Sequence, residues 1–175
     1  MKRLRLFLFV CAIFTAVIAV TAGYALNSLM DEESPSVTFL YTQRTIFPNI
    51  VFRLSAVPIA LATRFKYGKP SLRVAGITAK EVQTAFKQSA MLIIGTHGNE
   101  EGFATDDGKI IGPDHSIYPQ MHTLFFGSCN VGRRLPDWQR VFPMAKIISY
   151  SREMMEYEGW LYLVFGAQKD LLNRD

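Results

Sequence analysis

Two residues of the 175-residue chain have the types and surroundings that nucleophilic chemistry requires: His97 in Thr96-His97-Gly98 and Cys129 in Gly127-Ser128-Cys129-Asn130-Val131-Gly132. A thiol attacks carbonyl carbon efficiently only as thiolate, so a nucleophilic cysteine needs an imidazole within reach to take its proton. It also needs small neighbours that let backbone approach a bound peptide, and Gly98, Gly127, Ser128 and Gly132 supply them. In that chemistry His97 is the general base and acid and Cys129 the nucleophile. The backbone amides of Gly98 and Cys129 are the candidate donors to the oxyanion.

Both residues follow continuous apolar runs, Met91-Leu92-Ile93-Ile94-Gly95 and Thr123-Leu124-Phe125-Phe126. Such runs read as central parallel strands buried on both faces. Other strands are expected over Val37–Thr42, Leu72–Ala75 and Ala145–Ser149. Between them, helices are expected from the apolar stretch after the first strand to about Phe65, from Ala79 to about Gln88, around Leu135 to Val141, and from Trp160 to Leu172. Thr78-Ala79-Lys80-Glu81 has the form of a capping box ahead of the second of these helices. Phe103 to Ile111, interrupted by Asp106-Asp107-Gly108, reads as a small hairpin. Strands alternating with helices give an α/β domain: a small, mostly parallel sheet with helices on both faces, whose ligands sit outside the carboxyl ends of the strands.

The pairing of an apolar run then His-Gly with an apolar run then small-Ser-Cys resembles the signature of the caspase, legumain and CHAT group of cysteine peptidases. The expected element order from Val37 to about Leu172 is similar to the caspase-like core. The resemblance implies a His97/Cys129 dyad acting through an acyl-enzyme, with Gly98 and Cys129 donating to the oxyanion. It also sets Ser149-Tyr150-Ser151-Arg152 beside the short run with which caspases bind an acidic side chain. Ser149 and Arg152, together with Arg44 after the first strand, are the candidate substrate-binding residues. A catalytically inactive binding module of the same fold, tethered to the membrane, is the alternative reading.

Competing chemistry has less support. His97, His115, His122 and Cys129 offer neither CxxC nor HxxxH spacing for a metal, and the expectation is no metal and no cofactor. Glu100-Glu101 and Asp106-Asp107 are paired carboxylates, but the hairpin position favours solvated loop charges. Gly95-Thr96-His97-Gly98 lacks the third glycine and following helix of a dinucleotide fingerprint. The Trp160–Leu172 apolar stripe reads as core.

The N-terminus adds a second theme. Met1-Lys2-Arg3-Leu4-Arg5 precedes an uncharged run from Leu6 to Leu26, matching the roughly 20 residues a helix needs to cross a hydrocarbon core. Basic residues before it and Asp31-Glu32-Glu33 after it favour a cytoplasmic N-terminus. The chain thus divides into a signal anchor over 1–30 and an extracytoplasmic domain over 31–175, periplasmic or extracellular. Val20-Thr21-Ala22 and Gly23-Tyr24-Ala25 are candidate cleavage sites, and cleavage would yield a secreted domain. Cys11 follows Val10 rather than Gly or Ala, which disfavours lipoprotein acylation. Ile46 to Ala62 is also apolar, but Pro48, Arg53 and Pro58 make it a packed or interfacial helix rather than a second span.

Net charge is +4, with 19 basic and 15 acidic residues. Lys2, Arg3 and Arg5 account for three of the 19, leaving 16 basic against 15 acidic in the remainder. That near-neutral remainder has no basic stripe interleaved with aromatics, which excludes the electrostatic footprint of a nucleic-acid binder. The expected partners are a peptide or protein substrate and the membrane, and nothing in the sequence addresses oligomeric state.

Overall fold

The computed structural model describes residues 36–44, 46–68, 71–152 and 161–172; the expected membrane segment and Trp160 lie outside them. Five strands form one all-parallel sheet: β1 (Val37–Tyr41), β2 (Leu72–Gly76), β3 (Met91–Gly95), β6 (Thr123–Gly127) and β7 (Lys146–Ile148), in the spatial order β2-β1-β3-β6-β7. A two-stranded antiparallel hairpin, β4 (Phe103–Ala104) and β5 (Ile110–Ile111), lies between β3 and β6 in sequence. The helices are α1 (Ile46–Tyr67), α2 (Ala79–Gln88), α3 (Leu135–Val141) and α4 (Ala167–Leu172). A 3-10 turn (Val131–Arg134) leads into α3, and a π-helical turn (Tyr162–Gly166) leads into α4.

The apolar runs fold as they do because every residue of β1, β3 and β6 is buried. A strand covered by helices on both faces has no polar side to present. Side chains alternate between the faces. Leu40, Leu92, Ile94, Leu124 and Phe126 point to one side, against Val82 and Phe86 of α2 and Trp138 and Val141 of α3. Phe39, Ile93 and Phe125 point to the other, against Ala56, Ile59 and Ala60 of α1 and Ala167 of α4. Trp138 anchors the first core, its ring 4.8 Å from Phe126 and stacked 6.0 Å from Phe103. On the opposite face Tyr162 stacks on Phe125 at 4.2 Å.

The capping box at α2 is half made. Thr78 accepts from the Glu81 amide at 3.2 Å, whereas the Glu81 carboxylate pairs with Arg73 of β2 at 2.7 Å. Separately, Asp107 accepts from the Ala79 N–H, the first amide of the helix, at 3.0 Å. The C-terminal stripe, expected in the core, is described at only some of its positions. Among the described residues Leu161, Phe165 and Leu172 are exposed, while Ala167 is buried in the core and Tyr162 packs against it. The reason is lateral: α4 packs against α1 along one flank, leaving its outer flank uncovered. Among the described residues no helix is long and apolar enough to cross a membrane, and α1, the second apolar stretch, packs on the sheet.

Strand order reverses between β1 and β3, since β1 connects outward to β2 and β2 crosses back to β3. Open parallel sheets bind ligands at such a switch point, beyond the carboxyl ends of the strands.

Candidate functional site

His97 and Cys129 come from the carboxyl ends of adjacent strands. The β3–β6 register pairs Gly95 with Gly127, and the Thr96 amide extends the ladder by donating to Gly127 O at 3.3 Å. Both chains then bend out of the ladder, so that His97 and Cys129 each stand two residues beyond the paired glycines, at the ends of neighbouring strands. His97 is exposed and Cys129 half-buried.

The two loops touch through Gly98. A Cβ built there would lie 2.7 Å from Cys129 O, 2.8 Å from Val131 Cγ2 and 2.9 Å from Ser128 Cβ. Ordinary contact begins at 3.4 Å, so only glycine lets the histidine loop close on the cysteine loop. Among the described residues the Gly98 N–H meets no acceptor, the state required of an oxyanion donor. Ser128 Oγ, fully buried between the same loops, also has no hydrogen-bond partner among them.

Each loop is held by its own backbone contacts. On the histidine side, Thr96 Oγ1 donates to Ala104 O at 2.9 Å and Ala104 N–H donates to His97 O at 2.8 Å, tying the loop to β4. Asn99 closes the turn, its Oδ1 accepting from the Glu101 and Gly102 amides at 2.9 and 3.1 Å. On the cysteine side, Asn130 has φ 59°, a left-handed conformation that Asn tolerates better than most side chains. The Asn130 and Gly132 amides donate to Arg152 O at 3.1 Å and Tyr150 O at 2.9 Å. The segment after β7 therefore straps the cysteine turn.

The remaining candidates fall on two flanks. Ser149, Tyr150 and Arg152 lie against the cysteine turn: Ser149 Oγ is 3.0 Å from the Cβ position of Gly132, and the Arg152 guanidinium sits 5.9 Å from the Tyr150 ring centre. Arg44 stands at the end of β1, on the other side of β3. It donates from Nη2 to Asp106 O at 2.9 Å and pairs through Nε with Asp106 Oδ1 at 3.8 Å. β1 and β7 are three strand spacings apart, about 14 Å. Arg44 and Arg152 thus bracket the His97/Cys129 pair from opposite sides.

Asp106 and Asp107 act as tethers, whereas Glu100 and Glu101 are exposed, as expected of loop charges. Asp106 accepts from Thr42 Oγ1 at 2.8 Å and from the Gln43 amide at 3.0 Å, binding the hairpin across the end of β1. Hydrogen bonds from Thr105 and from the Ala79 amide hold the Asp107 carboxyl below its ordinary pKa. Glu100 in the histidine loop pairs with Arg133 in the turn after Cys129, and Arg133 Nε donates to Ser151 O at 3.1 Å. One guanidinium thus joins the histidine loop, the cysteine turn and the strap. Sequence reading missed Arg133, because charges this far apart in the chain carry no pairing signal. His122 precedes β6 and so lies at the opposite end of the sheet from His97. Among the described residues no group of three or more His, Cys, Asp or Glu side chains is placed to hold a metal.

No protein-family model, curated protein or solved structure matches the chain.

Proposed function

We propose that the protein is a membrane-anchored, extracytoplasmic cysteine peptidase with a caspase-like core. One observation carries the reading: the parallel β3–β6 register delivers a histidine and a cysteine to neighbouring strand ends, with Gly98 closed onto the Cys129 carbonyl. His97 takes the thiol proton, and the Cys129 sulfur adds to the carbonyl carbon of the scissile bond. The oxyanion is met by the Gly98 and Cys129 amides. Collapse breaks the C–N bond, the proton on His97 leaves with the amine, and a thioester remains. Water, deprotonated by His97, then releases the acid and restores the thiol. Arg44 and Arg152 flank the pair and favour peptides carrying an acidic side chain near the cut. The anchor over 1–30 holds the enzyme at the membrane.

The test is hydrolysis of a fluorogenic peptide library by the purified full chain, beside Cys129→Ala and His97→Ala. Cleavage by the parent that both variants abolish supports the assignment. Cleavage that persists in Cys129→Ala refutes it. Peptide binding without cleavage by the parent favours the inactive binding module of the same fold.

A further inference from the structure

The face of the sheet carrying α1 and α4 has an outer surface that the core does not explain. Phe65 is 84% exposed and Phe165 69% exposed, with Leu61 and Leu172 also exposed. Leu61 and Phe65 are one turn apart on α1, and Leu161 and Phe165 one turn apart on the neighbouring helical segment. Scattered exposed leucines are ordinary, but two phenylalanines at this exposure on adjacent helices are not. Cations border them: Arg64 and Lys66 in the last turn of α1, and Lys169 in the last turn of α4. Aromatic and aliphatic side chains flanked by Lys and Arg are what a helix lying in a membrane interface presents.

The position of the patch identifies its occupant. α1 runs back from the carboxyl end of β1 to the start of β2, so Phe65 and Tyr67 lie beside the strand starts. The Tyr67 side chain hydrogen-bonds to Ser36, the residue that opens into β1. Between Ser36 and the end of the apolar run at Leu26 stand only residues 27–35, a tether spanning no more than about 35 Å when fully extended. The chain therefore meets the domain at the patch, while His97 and Cys129 lie at the opposite ends of the strands.

We propose that this α1/α4 face docks on the membrane surface, with Phe65 and Phe165 entering the interfacial region and Arg64, Lys66 and Lys169 facing anionic headgroups, so that the strands lie along the bilayer and the His97/Cys129 end stays open to solvent at the side. The inference rests on the reading of residues 6–26 as a membrane anchor.

The full chain tests it after reconstitution into phosphatidylcholine/phosphatidylglycerol vesicles, in a Cys11→Ala/Cys129→Ala background. An environment-sensitive fluorophore is attached through Phe65→Cys or, as reference, through Lys109→Cys in the hairpin, and thermal unfolding checks that each variant folds. Headgroup and shallow-chain nitroxide lipids should quench the residue-65 probe by about half or more, as burial 5–10 Å into the interface requires, and leave the residue-109 probe unchanged. Equal, weak quenching at both positions in protein that resists carbonate extraction overturns the docking while the anchor stands. Blue-shifted emission at residue 65 without lipid quenching means that a second copy or another segment covers the face, and also overturns it. Release of the chain by carbonate shows instead that the anchor reading has failed, and the docking falls with it.

Discussion

Substituting Gly98 by Ala probes the contact on which the site depends. The added methyl would sit 2.7 Å from Cys129 O, 2.8 Å from Val131 Cγ2 and 2.9 Å from Ser128 Cβ, where ordinary contact begins at 3.4 Å. Two of these atoms belong to side chains of fully packed residues, Val131 at 1% and Ser128 at 0% exposure, and the third is backbone, so no rotamer change relieves the clash. The loops must part by several tenths of an ångström, an overpacking cost of about 1–3 kcal/mol. For a chain of this size each kcal/mol corresponds to about 2–4 °C in Tm, so unfolding should begin roughly 2–12 °C lower. Separating nucleophile and base by this much should also reduce peptide hydrolysis by about 10²-fold. Differential scanning fluorimetry and the peptide assay read the two effects on one preparation. A variant with unchanged Tm and unchanged hydrolysis would show that the loops do not meet at Gly98.

Asp107 is a carboxylate whose folded pKa is depressed. Its contribution is complete above the unfolded value of about 3.9 and is lost as pH falls through the folded one. Asp107→Asn should therefore be less stable than the parent near neutrality, with the gap closing below about pH 4 in urea titrations; a gap that widens in acid contradicts this. Trp138, at 1% exposure and in contact with Phe126 and Phe103, should cost about 3–5 kcal/mol when cut to Ala, and a loss under about 1 kcal/mol by denaturant unfolding would refute its place in the core. Ser128→Ala removes a buried hydroxyl without a partner among the described residues, so stability should hold or rise. A loss above about 1 kcal/mol would reveal a hydrogen bond to that hydroxyl.

The strands bearing His97 and Cys129 were legible because burial on both faces leaves an unbroken apolar run, and Met91–Gly95 folds over the expected residues. Leu135–Val141 likewise forms the expected helix. Long-range polar pairings were not legible. Thr78-x-x-Glu81 satisfies the capping pattern and Thr78 makes its half, yet the Glu81 carboxylate pairs with Arg73 on the adjacent strand, and Asp107 from the distant hairpin takes the Ala79 amide. Asp106 and Asp107 read as loop charges because nothing local shows that a hairpin turn will lie over β1 and α2. Apolar periodicity from Leu161 to Leu172 marks a face without telling which neighbour covers it. The fold covers Ala167 and leaves Phe165 in solvent.

The most direct test of the account is the rate at which iodoacetamide alkylates Cys129 across pH, in full-length Cys11→Ala protein with and without His97→Ala. An unassisted thiol titrates near 8.5 and reacts slowly at neutral pH. A working dyad predicts rapid alkylation near pH 7 that falls at least about tenfold without His97. Slow alkylation that the His97→Ala substitution leaves unchanged would contradict the peptidase and leave a binding module.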